Sequence, residues 1–193
     1  MALPPFPTQT EMAASLYGTW RLFLGDKAGL GFFGSGRSGF WRACWVLALV
    51  LPIALLSHLV RAAGADETAI TLAGLARFGF SFTIVWYGYA LVVHYVAPAL
   101  DRDDRFFDYM IPEYWSSLPA SVLLLVAITL NAAGVIPDSL SQVVLTVCFG
   151  TVLWLRAQII RLALDVSYGT AVGLTIASSV LEEVAFATLF YLF

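Results

Sequence analysis

Five apolar stretches, 40–60, 70–97, 118–136, 140–160 and 170–193, dominate the 193-residue chain. A hydrocarbon core of ~30 Å needs ~20 mostly apolar residues at ~1.5 Å rise per residue, and each stretch comes close to that or exceeds it. In lipid the backbone must satisfy its own polar groups, and segments of this length do so as helices. The pattern predicts an all-α membrane protein, a bundle of five transmembrane helices. Composition agrees: 60% of residues are hydrophobic and 12% charged, against about 25% charged in a soluble domain. The chain divides into an N-terminal segment, 1–39, and a single membrane domain, 40–193, with no room for a separate soluble domain of ~50–150 residues.

Charge placement predicts orientation. Arg21, Lys27, Arg37 and Arg42 precede or open the first stretch, Arg102 and Arg105 follow the second, and Arg156 and Arg161 close the fourth. Only Arg61 and Arg77 fall on the other side. Positive charge favours the cytoplasmic face, so the expectation is a cytoplasmic N-terminus and a C-terminus across a bacterial inner membrane. The start of the chain is Pro-rich (Pro4, Pro5, Pro7) and lacks the pattern of a cleavable signal, so the first span is expected to direct its own insertion. Cys44 and Cys148 both fall inside predicted spans, without a CxxC partner or metal-ligand spacing. No basic patch points to nucleic acid.

Residues 8–25 read as an amphipathic surface helix. Thr8 and Glu11 fit a capping box, and Gly25 suits the C-terminal stop. Met12, Leu16, Tyr17, Trp20, Phe23 and Leu24 share one face at ~100° per residue. Ser15, Gly18, Thr19 and Arg21 lie opposite, with Leu22 interrupting the polar side. The apolar face is expected on the lipid surface. GxGxxG occurs twice, at 29–34 and 34–39, but in a dinucleotide site it must join a strand to a helix, and here it joins a surface helix to a span. Backbone N–H groups there, with Arg37 and Arg42, could instead meet a lipid phosphate.

The connection 101–117 carries Asp101, Asp103, Asp104, Asp108 and Glu113, then Tyr114 and Trp115. Arg105 and Phe106 stand where a calcium loop needs a ligand and a glycine, so a solvated loop is expected. Pro137 and Asp138 mark a tight hairpin between the third and fourth spans. His94 reads as an interfacial hydrogen-bonder, and Trp86 to Tyr89 as packing residues.

Glu182 and Glu183 lie about twelve residues into the last span, ~18 Å deep. A central charge costs roughly 2.5–3.5 kcal/mol to insert, so each needs a partner or a proton. Depth arithmetic suggests Arg77 and Asn131, giving a buried polar cluster of Arg77, Asn131, Glu182 and Glu183 with His58 peripheral. Thr175, Ser178 and Ser179 form a polar stripe toward it, beside the small residues Gly169, Gly173 and Ala177.

Residues 181–187, LEEVAFA, resemble the EExxxR segment of the CAAX-protease family, in which a Glu pair activates water. That role would carry over only to Glu182 and Glu183. Ala187 stands at the Arg position and no His follows, so protease activity is not expected. The chain plan as a whole resembles the Yip1-domain family: an N-terminal segment, five closely spaced spans, a Trp86-Tyr-Gly-Tyr89 stretch and Pro98 beyond it. That resemblance implies a non-enzymatic membrane protein without cofactor or metal, acting through lipids, partner membrane proteins or copies of itself. The alternative is a small proton- or ion-coupled transporter using the Glu pair.

Overall fold

Thr8 caps the first helix, α1 (Gln9–Phe23): its hydroxyl accepts from the Glu11 N–H while the Glu11 carboxylate accepts from the Thr8 N–H, a complete capping box. Gly25 follows at φ +81°, the left-handed conformation that ends a helix without a Cβ clash. In this computed structural model residues 5–63 and 70–192 are described; Pro4 and the C-terminal Phe193 lie outside them. A 3₁₀ turn (Lys27–Phe32) leads to α2 (Gly36–Ala43), which runs through a second 3₁₀ turn into α3 (Leu47–Ala62). There follow α4 (Leu72–Val96), α5 (Phe106–Ala132), α6 (Asp138–Leu164) and α7 (Tyr168–Leu192), with no strand among the described residues.

Five helical segments are long and apolar enough to cross a membrane: Gly36–Ala62, Leu72–Val96, Asp103–Ala132, Asp138–Leu164 and Tyr168–Leu192. They coincide with the expected stretches except at their ends. The largest difference is α5, which begins at Phe106, so the second half of the expected acidic loop is helix. Apolar burial drives this, since Tyr109, Met110, Ile111, Tyr114 and Trp115 are all buried. Pro112 and Pro119 sit inside the helix, and Ser116 and Ser117 return hydroxyl hydrogen bonds to the Glu113 and Tyr114 carbonyls.

α5 is the central strut, touching α1, α2, α3 and α6, while α7 packs on α4 and α6. The core gathers toward the end where α5 and α7 begin and α4 and α6 finish. It includes Leu22, Val46, Val50, Tyr109, Met110, Ile111, Tyr114, Trp115, Ile159, Ile160, Leu162, Ala163 and Leu164.

The N-terminal helix turns its small, polar face toward the protein and leaves its apolar face outward. Its buried residues are Ser15, Gly18, Thr19 and Leu22, and its outward residues are Leu16, Tyr17, Trp20 and Leu24. The small, polar face meets the protein because two backbones must approach closely there. A Cβ on Gly18 would lie 2.9 Å from the Gly29 carbonyl, and one on Gly29 would lie 2.8 Å from the Gly18 carbonyl. Leu22, fully buried, anchors that face in the core. The second half of the glycine pattern serves the same purpose, since a Cβ on Gly39 would meet the Gly34 backbone at 2.6 Å. Gly29, Gly34 and Gly39 of the two GxGxxG runs are therefore close-packing positions, whereas a Cβ on Gly31 or Gly36 would meet nothing within 4 Å.

Candidate functional site

Three helices bring a Glu–Arg–Glu cluster together inside the bundle. Arg156 of α6 grips Glu182 of α7 with both terminal nitrogens, Nη1 to Oε2 at 2.8 Å and Nη2 to Oε1 at 2.5 Å. This fork is the bidentate geometry that makes arginine a strong carboxylate partner. Its Nε stands 2.8 Å from Oε1 of Glu113 on α5. That N–H is not directed along the line, so the contact is ionic without being a hydrogen bond. Glu113 Oε2 is buried with no hydrogen-bond partner. The side chains of Arg156 and Glu113 are each 12% exposed and that of Glu182 29%.

Aromatic groups complete the cluster. The Arg156 guanidinium lies 4.8 Å from the Tyr89 ring centroid, a cation–π contact, and the Tyr89 and Tyr109 hydroxyls are 2.5 Å apart. Ser179 accepts a long 3.5 Å hydrogen bond from Arg156. An apolar cavity of about 170 Å³ adjoins the tyrosine pair, lined also by Val93, Ile160, Leu174 and Leu181. One guanidinium against two carboxylates leaves a formal charge of −1 when all are ionised.

Glu182 thus turns toward α6, and its partner is Arg156 where the sequence suggested Arg77. Glu183 turns outward, because a ~100° step separates neighbours on a helix, and no partner to it lies among the described residues. Arg77 lies with its guanidinium over the Phe190 ring at 5.9 Å. His58 stacks on Phe78 at 4.4 Å and meets the edge of Phe190 at 6.0 Å, with its Nε2 buried and unpartnered. Arg77 and His58 therefore share an aromatic neighbour, without either glutamate. Asn131 stands one residue before the end of α5, where its Oδ1 accepts from the Ser141 hydroxyl and ties the α5–α6 hairpin.

The polar stripe on α7 also divides. Thr175 and Ser178 donate to their own helix at Ala171 and Thr175, while Gly169, Gly173 and Ala177 face outward. Arg42 pairs with Glu11, beside a cavity of about 200 Å³ lined by Pro7, Ser15, Phe33 and Trp115. The expected phosphate contact there is already met by a carboxylate. Arg37 carries no ion pair to a described residue. Cys44 and Cys148 are free thiols, and no group of three potential metal ligands occurs among the described residues.

Arg156 and Glu113 were both assigned by sequence to the membrane surface. The signal for each is its flanks: Leu155, Ala157, Ile159 and Ile160 surround Arg156, and Met110, Ile111, Tyr114 and Trp115 surround Glu113. A charge with apolar residues on both sides and helix continuing through it belongs inside the bundle.

Outside the spans, two carboxyls are held below the usual range. Asp165 is lowered chiefly by the hydrogen bond from Lys27 at 2.9 Å, and Asp26 chiefly by its bond to Arg21. With the Trp154 indole donating to the Phe23 carbonyl at 3.2 Å, the Lys27–Asp165 pair fastens the N-terminal segment to α6 and the turn after it.

The architecture defines the class: an all-helical protein with five helices suited to crossing a membrane and a charged cluster enclosed among three of them. No family model, curated protein or solved structure matches the chain.

Proposed function

We propose that this is a non-enzymatic integral membrane protein, with a plan resembling the Yip1-domain family, that works through lipids and partner membrane proteins. The observation that carries the reading is how little of α4 and α7 the bundle covers. α7 buries only Ala171 and Thr175, and α4 only Ser81, Tyr89 and Ala90. Long apolar faces remain for lipid or other helices. The outward Leu16, Tyr17, Trp20 and Leu24 of α1 suit the headgroup layer, where aromatic rings concentrate. With Arg156 enclosed, seven cationic side chains still stand on the N-terminal side against two, favouring a cytoplasmic N-terminus in a bacterial inner membrane.

A second reading, a proton- or ion-coupled transporter, is favoured by Glu113: a buried carboxylate oxygen without a partner, next to a single arginine shared with Glu182. Liposome flux separates the two. The first reading expects proton and ion flux no higher than in protein-free vesicles. Flux through wild type that disappears in a folded Glu113→Gln/Glu182→Gln variant would replace it with the second.

A further inference from the structure

Away from the helix ends, the charged side chains of the five spans match almost completely within the chain. Arg42 is met by Glu11, and Glu113 and Glu182 are met by Arg156. Among the described residues two are left: Arg77 on α4 and Glu183 on α7. No described carboxylate lies within 4 Å of Arg77, and no described cation lies within 4 Å of Glu183. One is positive and one negative, and both sit on the pair of helices the bundle covers least.

We infer that the α4–α7 face is the contact surface for a second copy of this chain, with Arg77 of each copy paired to Glu183 of the other. A two-fold axis along the membrane normal keeps equivalent residues at equal depth and produces both pairs at once, as an isologous interface requires. The depths are compatible. Arg77 lies five residues from the start of α4, ~8 Å, and Glu183 nine residues from the end of α7, ~14 Å, both counted from the same side of the bundle. To cover the ~6 Å difference the long arginine side chain must leave the Phe190 ring, which lies nearer the end of α7, and extend toward the bilayer centre.

The surface around Glu183 suits a helix partner. Gly169, Gly173, Ile176, Val180 and Glu183 fall within an ~80° arc of α7, all outward-facing. A Cβ on Gly173 would meet nothing within 4 Å, so the groove there is open to an approaching backbone. A lipid tail can cover the apolar part of this face but leaves Glu183 uncompensated in hydrocarbon. A second copy supplies the guanidinium. The inference deepens the partner reading by naming the partner, and the flux assay plays no part in its test, so each can fail separately.

The experiment is association of two differently tagged copies in nanodiscs or liposomes of phosphatidylethanolamine and phosphatidylglycerol, read by resonance energy transfer across lipid dilution. Wild-type copies should associate. Arg77→Glu alone or Glu183→Arg alone should each self-associate at least about tenfold more weakly, because like charges then face each other. Mixing Arg77→Glu copies with Glu183→Arg copies should restore association, since every contact across the interface is again opposite in sign. A pair formed within one chain cannot be rescued this way. Mixed copies that associate no better than either variant alone would overturn the inference, as would wild type that stays monomeric. Should the reversals fail to insert, Gly173→Phe provides the second arm. The monomer has space for that side chain, so it should fold and remain monomeric, and association equal to wild type would count against the interface.

Discussion

Replacing Arg156 by Met should be strongly destabilising. Arg156 makes three short contacts, at 2.8, 2.5 and 2.8 Å, to two carboxylates, and its side chain is 12% exposed. Its removal strands Glu113 and Glu182 near each other in a poorly solvated interior. Breaking a buried ion pair from one side costs about 3–5 kcal/mol, and the partial exposure of Glu182 places the value toward the lower end. At about 1.4 kcal/mol per decade, that is roughly a hundredfold or more in the unfolding equilibrium. Neutralising the stranded partners should offset most of the loss, because a cluster replaced as a whole is close to neutral whereas a broken one is not. The assay is unfolding in mixed micelles with increasing dodecyl sulfate, followed by far-UV circular dichroism and tryptophan fluorescence. Three proteins are compared at neutral pH: wild type, Arg156→Met, and the triple variant Glu113→Gln/Arg156→Met/Glu182→Gln. An Arg156→Met midpoint indistinguishable from wild type would refute the buried cluster. A triple variant no better than the single one would instead show that packing of the arginine stem, and not charge, carries the effect.

Other substitutions separate the two faces of α1. Leu22→Ala removes a fully buried side chain and should cost about 2–5 kcal/mol, whereas Trp20→Ala, on a residue 56% exposed, should leave unfolding nearly unchanged and instead reduce quenching by brominated lipid. Gly29→Ala forces a Cβ against the Gly18 carbonyl and should loosen the N-terminal segment by about 1–3 kcal/mol, seen as faster limited proteolysis around residues 24–35; Gly31→Ala, with open space at its Cβ, should not. Asp165 titrates below its ordinary range because Lys27 stabilises its charged form, so its contribution is present above the unfolded pKa of ~4 and lost as pH falls through the lower folded value. Protection of the N-terminal segment should therefore be level from pH ~5 to ~8 and fall only below ~4, and Lys27→Met should remove that acid-sensitive step.

The five long apolar helices were legible because runs of that length and apolar content form helices, and the capping box of Thr8 and Glu11 was legible because it is a local device. The misplaced residues share a cause. With the fourth stretch ended at 160, Arg156 looks like a surface charge; the helix runs to Leu164 and leaves it two turns inside. The acidic run Asp101, Asp103, Asp104, Asp108 and Glu113 made 101–117 look like a loop, although five large apolar side chains there had nowhere to go but a core. The helix α1 and its apolar stripe were legible, and the residues that dock it on the protein were not. An apolar stripe says that a surface leaves water, and does not say whether it enters protein or lipid. Leu22, lone among small residues, was the residue that marked the inner face. Which glutamate faces inward depends on helix rotation, and rotation is set by packing against α4 and α6, which no single span contains.

In the membrane reading proposed above, the pairing of Arg156 with Glu182 also bears on how α6 and α7 would enter the bilayer during synthesis. The two residues are only 26 positions apart, on helices joined by residues 165–167. Each span alone presents the translocon with a charge that opposes its release into lipid. As a hairpin, α6 and α7 can neutralise each other before either leaves the protein-lined channel. Insertion of the last two spans would then be concerted, with the fork between arginine and glutamate formed at the moment of entry and the Glu113 contact following as α5 closes against them.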